Sequence, residues 1–140
     1  MTNDLESIKS ADTILVIGSN TTEAHPVIGS MIKERIQNGG KLIVCDPRKI
    51  ELHKYAAVSI RHKSGSDVAL INSMMNVILE ENLYDKEFIA ERVENFEELK
   101  KIVGEYNPEK MAKTTGISAE TVREAARLYA KAENSAIFYT

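Results

Sequence analysis

The sequence predicts an α/β fold, a Rossmann-like three-layer sandwich with a mostly parallel sheet and a helical C-terminal half. Short, β-branched and almost wholly apolar segments alternate with helical periodicity in the first half, whereas helical periodicity dominates after Leu83. Strands that are apolar on both faces are typical of parallel sheets, because helices cover both faces of such sheets. The 140 residues fit one domain, 1–140, with a sizeable core.

The first half is predicted to contain one strand–helix–strand unit followed by a further strand. Residues 13–17 and 41–45 have the composition of buried strands. Between them, residues 23–37 carry apolar side chains at helical spacing, and Pro26 suits the first turn, where its missing N–H is not needed. Short loops and a right-handed crossover are expected to connect the two strands through this helix. A third short strand is expected near residues 57–61.

The second half is expected to be helical up to a final strand. A turn of small residues at 63–67 precedes a long helix that runs to about residue 81, with Ser66 or Asp67 as its N-cap. The later elements are expected to be short helices at 85–92 and 95–103, a helix from Pro108 to Gly116, a helix from Ser118 to about Lys131, and a strand at 135–139. A chain that stops on such an apolar strand suggests a natural polypeptide continuing past Thr140.

Composition and charge exclude several classes of function. The net charge of -3 gives no concentration of Lys and Arg with which to bind nucleic acid. Neither a bilayer-spanning apolar run nor a signal-peptide core is visible, so we expect no membrane insertion and a cytoplasmic location. The single cysteine, Cys45, lies in a predicted strand as a packed thiol and cannot form an internal disulfide or a multi-cysteine metal site.

The sequence assigns no catalytic residue and no metal ligand. The three histidines do not share a metal-ligand spacing, and surface or capping roles are expected for each of them: His25, His53 and His62.

The first candidate binding loop follows the first strand. Gly18 permits a tight turn, and Ser19, Asn20 and Thr21 place polar side chains beside the start of a helix, where phosphate binds well. The three spaced glycines of a conventional NAD site are absent. Taken alone, this loop is better explained as a polar turn with a helix cap.

The second candidate loop, Asp46-Pro47-Arg48, follows the second strand. A carboxylate at this position can accept hydrogen bonds from ribose hydroxyls or from the N1 and N2 donors of guanine, and Arg48 can contact phosphate or stack on a base. A simple salt bridge between Asp46 and Arg48 explains the pattern equally well.

The third candidate loop is the turn before the long helix. Lys63 can neutralise phosphate, Gly65 permits a close backbone approach, and Asp67 can accept from a base or cap its helix. The carboxyl ends of parallel strands meet at one edge of the sheet, so the three loops are expected to lie at the same edge. Each loop alone is weak evidence, but the three together favour a purine nucleotide diphosphate as the ligand.

The ordered set of motifs closely resembles the molybdopterin oxidoreductase family, and it covers essentially the whole chain. The segments that carry the resemblance are Ile17-Gly18-Ser19-Asn20 with His25-Pro26, Cys45-Asp46-Pro47-Arg48-Lys49, Ser64-Gly65-Ser66-Asp67-Val68-Ala69-Leu70, Leu83-Tyr84-Asp85-Lys86-Glu87-Phe88-Ile89, and Thr115-Gly116-Ile117-Ser118 followed by Val122-Arg123-Glu124-Ala125-Ala126. Residues 23–26 look most like those of formate dehydrogenase catalytic subunits.

The resemblance implies a cofactor and a set of roles. In this family two molybdopterin guanine dinucleotides hold one molybdenum or tungsten atom, and a domain of this kind grips the guanosine diphosphate end of one of them. Carried over residue by residue, Gly18, Ser19 and Asn20 would line the pyrophosphate. Asp46 and Arg48 would meet the guanosine, and Gly65 and Asp67 would close the nucleotide site.

The resemblance also implies that this chain is an internal fragment that is inactive alone. The 4Fe-4S cluster cysteines and the cysteine or selenocysteine metal ligand of formate dehydrogenases belong to regions absent from this chain. Its expected partners are the remaining domains of the same catalytic subunit and an electron-accepting subunit. The expected reaction is the two-electron oxidation of formate to carbon dioxide.

Three alternatives stay open from the sequence. The chain can be part of a nitrate reductase-type relative, a non-catalytic structural module of an electron-transfer complex, or a stand-alone domain that binds an ordinary nucleotide. Preference for GDP over NAD and ADP would favour the family reading over the last of these.

Overall fold

The chain forms two compact units in the computed structural model, which describes residues 4–139. The first unit contains the residues up to Arg61 together with those from Ala132 onward, and the second runs from His62 to Lys131. Each unit has its own helices or strands and its own candidate residues.

The first unit is built on a four-stranded sheet in the order β3-β2-β1-β4, and all three strand pairs are parallel. The strands are β1 (Thr13–Ile17), β2 (Lys41–Cys45), β3 (Val58–Ile60) and β4 (Ser135–Tyr139). Ile17 lies opposite both Cys45 and Tyr139, and Cys45 lies opposite Ile60. The carboxyl ends of the four strands therefore meet at one edge of the sheet.

Short helices surround this sheet: α1 (Ser7–Ser10), α2 (Thr21–Ala24), α3 (Pro26–Gln37) and a 3-10 helix at Glu51–Lys54. A buried cluster joins α1, α3 and the 3-10 helix to the two central strands, whose alternate residues point to the same face. Its buried members are Ile8, Ala11, Ile14, Val16, Ile32, Leu42, Val44, Ile50 and Leu52.

The second unit is wholly helical. Its helices are α4 (Asp67–Glu80), α5 (Lys86–Arg92), α6 (Phe96–Gly104), α7 (Pro108–Thr115) and α8 (Ala119–Ala130). Helix α4 packs against α6, α7 and α8. Side chains of Asp85, Asn107 and Ser118 cap the helices that follow them, and Gly116 ends α7 in the left-handed conformation, with φ +75°. Local capping signals therefore set the starts of α5, α7 and α8 and the end of α7.

The structure confirms the α/β class, the parallel sheet and the helical C-terminal half. The assignment of residues 1–140 to a single domain stays a prediction. One boundary was wrong: the helix predicted at 23–37 is two helices, which separate at His25. Since Pro26 follows, the α-helical conformation of His25 is disfavoured, and its backbone takes φ -139° and ψ 69° instead.

The N-cap of α4 is Ser66, one of the two residues expected from the sequence, but neither Ser66 nor Asp67 caps the helix through its side chain. The Ser66 hydroxyl donates to the Lys63 carbonyl, and the Asp67 carboxylate lies against His62. His62, expected at a surface or capping position, is buried.

Candidate functional site

The first loop leaves β1 through a strained turn that only glycine tolerates easily. Gly18 has φ +61°, and no described atom lies within 4 Å of the place its Cβ would occupy. Its amide donates to the Cys45 carbonyl at 2.9 Å, which fixes the turn beside the end of β2. The backbone is thus open to close approach by a ligand at this point.

The polar residues after Gly18 are held by local hydrogen bonds. Ser19 is buried, and the side-chain oxygen of Asn20 accepts from the Thr22 hydroxyl at 3.0 Å. The Asn20 carbonyl accepts from the amides of Glu23 and Ala24 and so begins α2. Because α2 has only four residues, its dipole is small, and the loop's own amides and hydroxyls carry the binding potential.

Thr21 is the residue in this loop with an unmet hydrogen-bonding need. It is buried, and among the described residues its hydroxyl has no partner. A buried hydroxyl without a partner is unfavourable, so a ligand oxygen beside it would be stabilised. The sequence placed Thr21 in the loop but gave no reason to separate it from its neighbours.

The second loop contains a buried carboxylate held by an exposed guanidinium. The Asp46 side chain is 1% exposed and that of Arg48 65% exposed. The Asp46 Oδ1 accepts from the Arg48 amide at 2.8 Å and from its Nε at 3.0 Å, while Oδ2 accepts from Nη2 at 2.9 Å. The salt bridge left open by the sequence is present as a two-pronged pair, which is a strong geometry.

The ionisation of Asp46 follows from this geometry. Burial alone would raise the pKa of the Asp46 carboxyl, but the hydrogen bonds and the charge of Arg48 outweigh burial and lower it below its ordinary value. Asp46 is therefore a carboxylate at neutral pH. It can only accept hydrogen bonds, and each of its oxygens has more than one lone pair.

The third loop lies in the second unit and is tied to the end of α7. The Lys63 amide donates to the Thr115 carbonyl and its ammonium to the Lys113 carbonyl, both at 2.9 Å. Gly65 has φ +79°, and nothing described lies within 4 Å of its Cβ position. The loop therefore has an open glycine backbone at Gly65, and the ammonium of Lys63 is already held by a carbonyl of α7.

Asp67 is the first residue of α4, and its partner is a residue that sequence reasoning missed. The Nε2 of His62 lies 2.9 Å from the Asp67 Oδ1. The His62 side chain is 0% exposed and that of Asp67 is 49% exposed. The available signal was the five-residue separation of an imidazole and a carboxylate across a glycine turn, which is a weak one.

The structure brings five predicted site residues together at the carboxyl edge of the sheet: Gly18, Ser19, Asn20, Asp46 and Arg48. Gly18 and Asp46 directly follow residues that lie opposite each other in the sheet, Ile17 and Cys45. The other three predicted residues, Lys63, Gly65 and Asp67, share one turn in the second unit.

A cleft of about 550 Å³ follows the second loop in the first unit, between the 3-10 helix and β3. Lys49, Lys54 and Arg61 line it, together with His53, whose ring nitrogens contact the Ser59 hydroxyl and the Arg48 carbonyl. Its basic lining makes it a second place to which an anion could be drawn.

Residues 4–139 contain no group of three or more His, Cys, Asp or Glu side chains placed to hold a metal ion. Within the same residues, no helix is long and apolar enough to cross a membrane.

Comparison with known proteins places these loops in a family. The model of the family described as "Molybdopterin oxidoreductase" matches residues 1–140. The chain is 47% identical over 139 residues to formate dehydrogenase H of Escherichia coli and 47% identical over 139 residues to the F420-dependent formate dehydrogenase subunit alpha of Methanocaldococcus jannaschii. It is also 40% identical over 134 residues to a nitrate reductase of Symbiobacterium thermophilum.

A solved structure has the same fold as this chain. Acetylene hydratase from Pelobacter acetylenicus superposes with a TM-score of 0.87 at 37% identity, over 93% of this chain and 18% of that one. The alignments span 99% of this chain but only 19% of the Escherichia coli protein and 21% of the archaeal one. The match of residues 1–140 settles the family: this chain belongs to the molybdopterin oxidoreductases.

Proposed function

We propose that this chain is the nucleotide-gripping segment of a molybdopterin-dependent formate dehydrogenase. Membership of the family supports the cofactor class, and the higher identity to the formate dehydrogenases than to the nitrate reductase supports the substrate. The observation that carries the proposal is the placement of Gly18 and Asp46 side by side where two parallel strands end, which is where open α/β sheets bind ligands.

The residues of the first loop fit a pyrophosphate. Gly18 leaves open space where any other residue would have a Cβ, and Thr21 has a buried hydroxyl that lacks a partner. We assign Gly18, Ser19 and Asn20 to the pyrophosphate, with Thr21 as an additional donor. Backbone amides and hydroxyls suit phosphate oxygens because they donate hydrogen bonds without needing a charge.

The second loop fits a guanosine. The Asp46 carboxylate accepts hydrogen bonds only, so it matches a ribose hydroxyl or the N1 and N2 donors of guanine. Arg48 is exposed at its outer side, and the nitrogen Nη1 is not used by Asp46. We assign Asp46 to the guanosine donors and Arg48 to orienting that carboxylate while presenting its own flat face to the base.

The loop of the second unit is assigned to closing the nucleotide site. Gly65 offers an open backbone, Lys63 a positive charge anchored at the end of α7, and Asp67 a half-exposed carboxylate. Because Asp67 begins a 14-residue helix, its negative charge is stabilised there.

In the whole enzyme, the bound molybdenum or tungsten pterin would supply the two-electron oxidation of formate to carbon dioxide. This segment would hold the guanine dinucleotide of one pterin in position, since proteins contribute orientation and electrostatics to cofactor chemistry. The metal ligand and a 4Fe-4S cluster would come from other parts of the same subunit, and electrons would leave to an acceptor subunit. We expect the isolated chain to be inactive and the enzyme to be cytoplasmic.

A nitrate reductase activity is the second candidate. The 40% identity to a named nitrate reductase favours it, and residues outside this chain would make the distinction. The same guanosine grip is expected in either case, so the binding experiment below tests the segment's role and leaves the substrate to assays of the full-length protein.

Calorimetric titration with GDP, GMP, ADP and NAD tests the grip. We expect GDP to bind with a Kd of about 1 mM, or about -4 kcal/mol, because contacts to the pterin half are missing. Asp46→Ala should abolish this binding, whereas Glu91→Ala, which removes an exposed carboxylate from α5, should leave it unchanged. Circular dichroism and urea unfolding would establish that each variant is folded. Preferred binding of ADP or NAD would contradict the proposal.

A further inference from the structure

His53 links the second loop of the first unit to the strand β3. Its ring belongs to the 3-10 helix, and its Nε2 lies 3.1 Å from the carbonyl oxygen of Arg48. Its Nδ1 lies 2.8 Å from the hydroxyl of Ser59, a residue of β3 that lies opposite Val44 in the sheet. The roles proposed above use neither His53 nor Ser59. One ring therefore bridges the loop that follows β2 and the strand beside it.

This bridge does not depend on the charge of the imidazole. The Arg48 carbonyl can only accept a hydrogen bond, so the Nε2 of His53 must carry a hydrogen. The Ser59 hydroxyl can donate or accept, so it pairs with Nδ1 whether or not that nitrogen carries a proton. The same two contacts therefore hold in both protonation states of the ring.

The peptide groups on both sides of the Arg48 Cα atom are held. The Arg48 amide donates to the Asp46 Oδ1 at 2.8 Å. The Arg48 carbonyl accepts from the amide of Ile50 at 3.1 Å as well as from His53. Because each peptide group is planar, holding both of them fixes the direction in which the side chain leaves the backbone. That direction takes the guanidinium to the two carboxylate oxygens of Asp46.

The other residues of this loop are also held from the side of β3. The Asp46 amide donates to the Ile60 carbonyl at 3.1 Å. The Nη2 of Arg61 lies 3.4 Å from the Pro47 carbonyl, which is a longer and weaker contact. With the bridge through His53, every residue of the loop has a backbone contact that leads to β3 or to the residue after it.

The guanidinium of Arg48 needs such support because it lies in solvent. The Arg48 side chain is 65% exposed, whereas that of Asp46 is 1% exposed. A long side chain in water loses rotamer freedom when it is held in one geometry. A ligand that requires this geometry binds more tightly when the protein has set it in advance.

We propose that His53, supported by Ser59, is a positioning residue that sets the pair of Asp46 and Arg48 in its binding geometry before a nucleotide arrives. This inference rests on the proposed nucleotide-binding function and adds two residues that act through Arg48 rather than by contact with the ligand. Their contribution is preorganisation, since the loop then does not have to be ordered when the guanosine end binds.

Two substitutions of His53 separate its hydrogen bonds from its bulk. His53→Gln keeps a donor for the Arg48 carbonyl and an acceptor for the Ser59 hydroxyl, while His53→Phe keeps a ring of similar size with neither. Backbone amide resonances followed during addition of GDP measure the Kd of each variant. We expect His53→Phe to raise the Kd about fivefold, the effect of losing one hydrogen bond, and His53→Gln to restore most of the affinity. Ser59→Ala should raise the Kd about twofold, because the ring keeps one of its two anchors.

Lys54→Gln is the matched control. It removes a charge from the same 3-10 helix and the same cleft, but it keeps the ring of His53 and both partners of that ring. We expect it to weaken GDP binding far less than His53→Phe does. An equal effect would mean that the charge of the cleft governs the affinity, and it would overturn the proposal.

The geometry can also be tested without a nucleotide. The Nε of Arg48 donates to Asp46, so its hydrogen should exchange slowly with solvent in the wild type and in His53→Gln. In His53→Phe the exchange should be about fivefold faster, because the paired geometry is populated less. Urea unfolding measures the stability of the same variants separately. Equal exchange rates in all three proteins, or rates that only follow the free energy of unfolding, would overturn the positioning role.

Failure of the proposed function and failure of this inference give different results. A wild-type chain that binds GDP no better than ADP or NAD would overturn the proposed function and the role of His53 with it. A wild-type chain that prefers GDP, with the same Kd in His53→Phe or with equal losses in His53→Phe and His53→Gln, would overturn the role of His53 alone. Should His53→Phe fail to fold, Ser59→Ala changes an exposed position of the same bridge. An unchanged Kd and an unchanged Arg48 exchange rate in Ser59→Ala would then overturn the proposal.

Discussion

The two candidate carboxylates, Asp46 and Asp67, are held in opposite ways. Asp46 is buried in the first unit, and its partner Arg48 lies on the surface. Asp67 is half exposed in the second unit, and its partner His62 lies in the interior. In the sequence both are acidic residues in polar loops that follow an apolar strand, and nothing in those loops shows which of the two is buried.

The difference shows that the buried member of such a pair decides what the pair contributes. A buried charge needs its partner, so Asp46 and Arg48 form a unit whose loss is felt by the fold. In the second pair the carboxylate keeps about half of its contact with solvent, so less depends on its partner for stability. This arrangement leaves the acid free to meet a ligand, so the second pair is better suited to recognition than to holding the structure.

Matched amide substitutions should give the largest difference between the two sites. Asp46→Asn removes the charge and turns an NH₂ group toward the Arg48 donors, so we expect a loss of about 2 kcal/mol in the free energy of unfolding. Asp67→Asn keeps an oxygen for His62, so its loss should stay under about 0.5 kcal/mol. Urea unfolding of both variants measures the difference. Equal losses would show that burial of the carboxylate does not govern its contribution.

Acid should remove the contribution of Asp46. Because the folded-state pKa of Asp46 lies below the ordinary value of 3.8, its stabilisation is complete above that value and is lost as the pH falls through the lower folded-state pKa. The urea midpoints of wild type and Asp46→Asn should therefore differ at neutral pH and converge in strong acid. Midpoints that stay equally far apart in acid would contradict the depressed pKa, and Asp67→Asn serves as the control with the smaller gap.

The turn before Asp67 should depend on its glycine. Gly65→Ala places a side chain at φ +79° in open space, so only backbone strain acts, and we expect a loss of about 1 kcal/mol. Gly104→Ala is the matched control, because this glycine ends α6 without a positive φ and also has free space around it. Its expected change is neutral or a gain of about 0.5 kcal/mol. Thermal unfolding can rank the stabilities of the two variants, and a larger loss for Gly104→Ala than for Gly65→Ala would contradict a strained backbone at Gly65.

The ion pairs of Arg123 are partly buried, and their loss should change the free energy of unfolding less than Asp46→Asn or Gly65→Ala. Its side chain is 21% exposed and pairs with Glu80 at 3.0 Å and with Glu109 at 3.1 Å. Arg123→Gln should cost about 0.5–1 kcal/mol, since partly solvated ion pairs contribute little, and the loss should shrink at high salt. Lys9→Gln, which breaks the exposed pair with Glu6, should have no measurable effect. A loss from Arg123→Gln that salt does not change would mean that its packing matters more than its charge.

The periodicity of apolar residues predicted most of the strands and helices, because the residues that form the core recur at the spacing of the element they belong to. The buried strands at 13–17 and 41–45 match β1 and β2 residue for residue, and the helical half follows its caps. The break at His25 was not predicted, because Pro26 was interpreted only as the start of a helix. The proline ring also restricts the residue before it, and this restriction separates the two helices. Helix α1 and the 3-10 helix were missed because each spans only one turn.

The candidate site was predictable as a set of loops but not as a set of contacts. The sequence placed Gly18 and Asp46 at the ends of strands, and the sheet register brings them together. It could not tell that Asp46 is buried, because burial depends on residues distant in the sequence. It did not show the contact of His62 with Asp67, because a five-residue separation of these two residue types is a weak signal. The assignment of these residues to a guanosine diphosphate stays a prediction.

The most direct test of the central claim is to follow backbone amide resonances while GDP is added to the chain. The account predicts concentration-dependent shifts at Gly18, Asn20 and Asp46 and at Gly65 and Asp67, with α6 unchanged and Asp46→Ala silent. Shifts confined to the basic cleft around Lys49, Lys54 and Arg61, or the same shifts with inorganic phosphate alone, would contradict it.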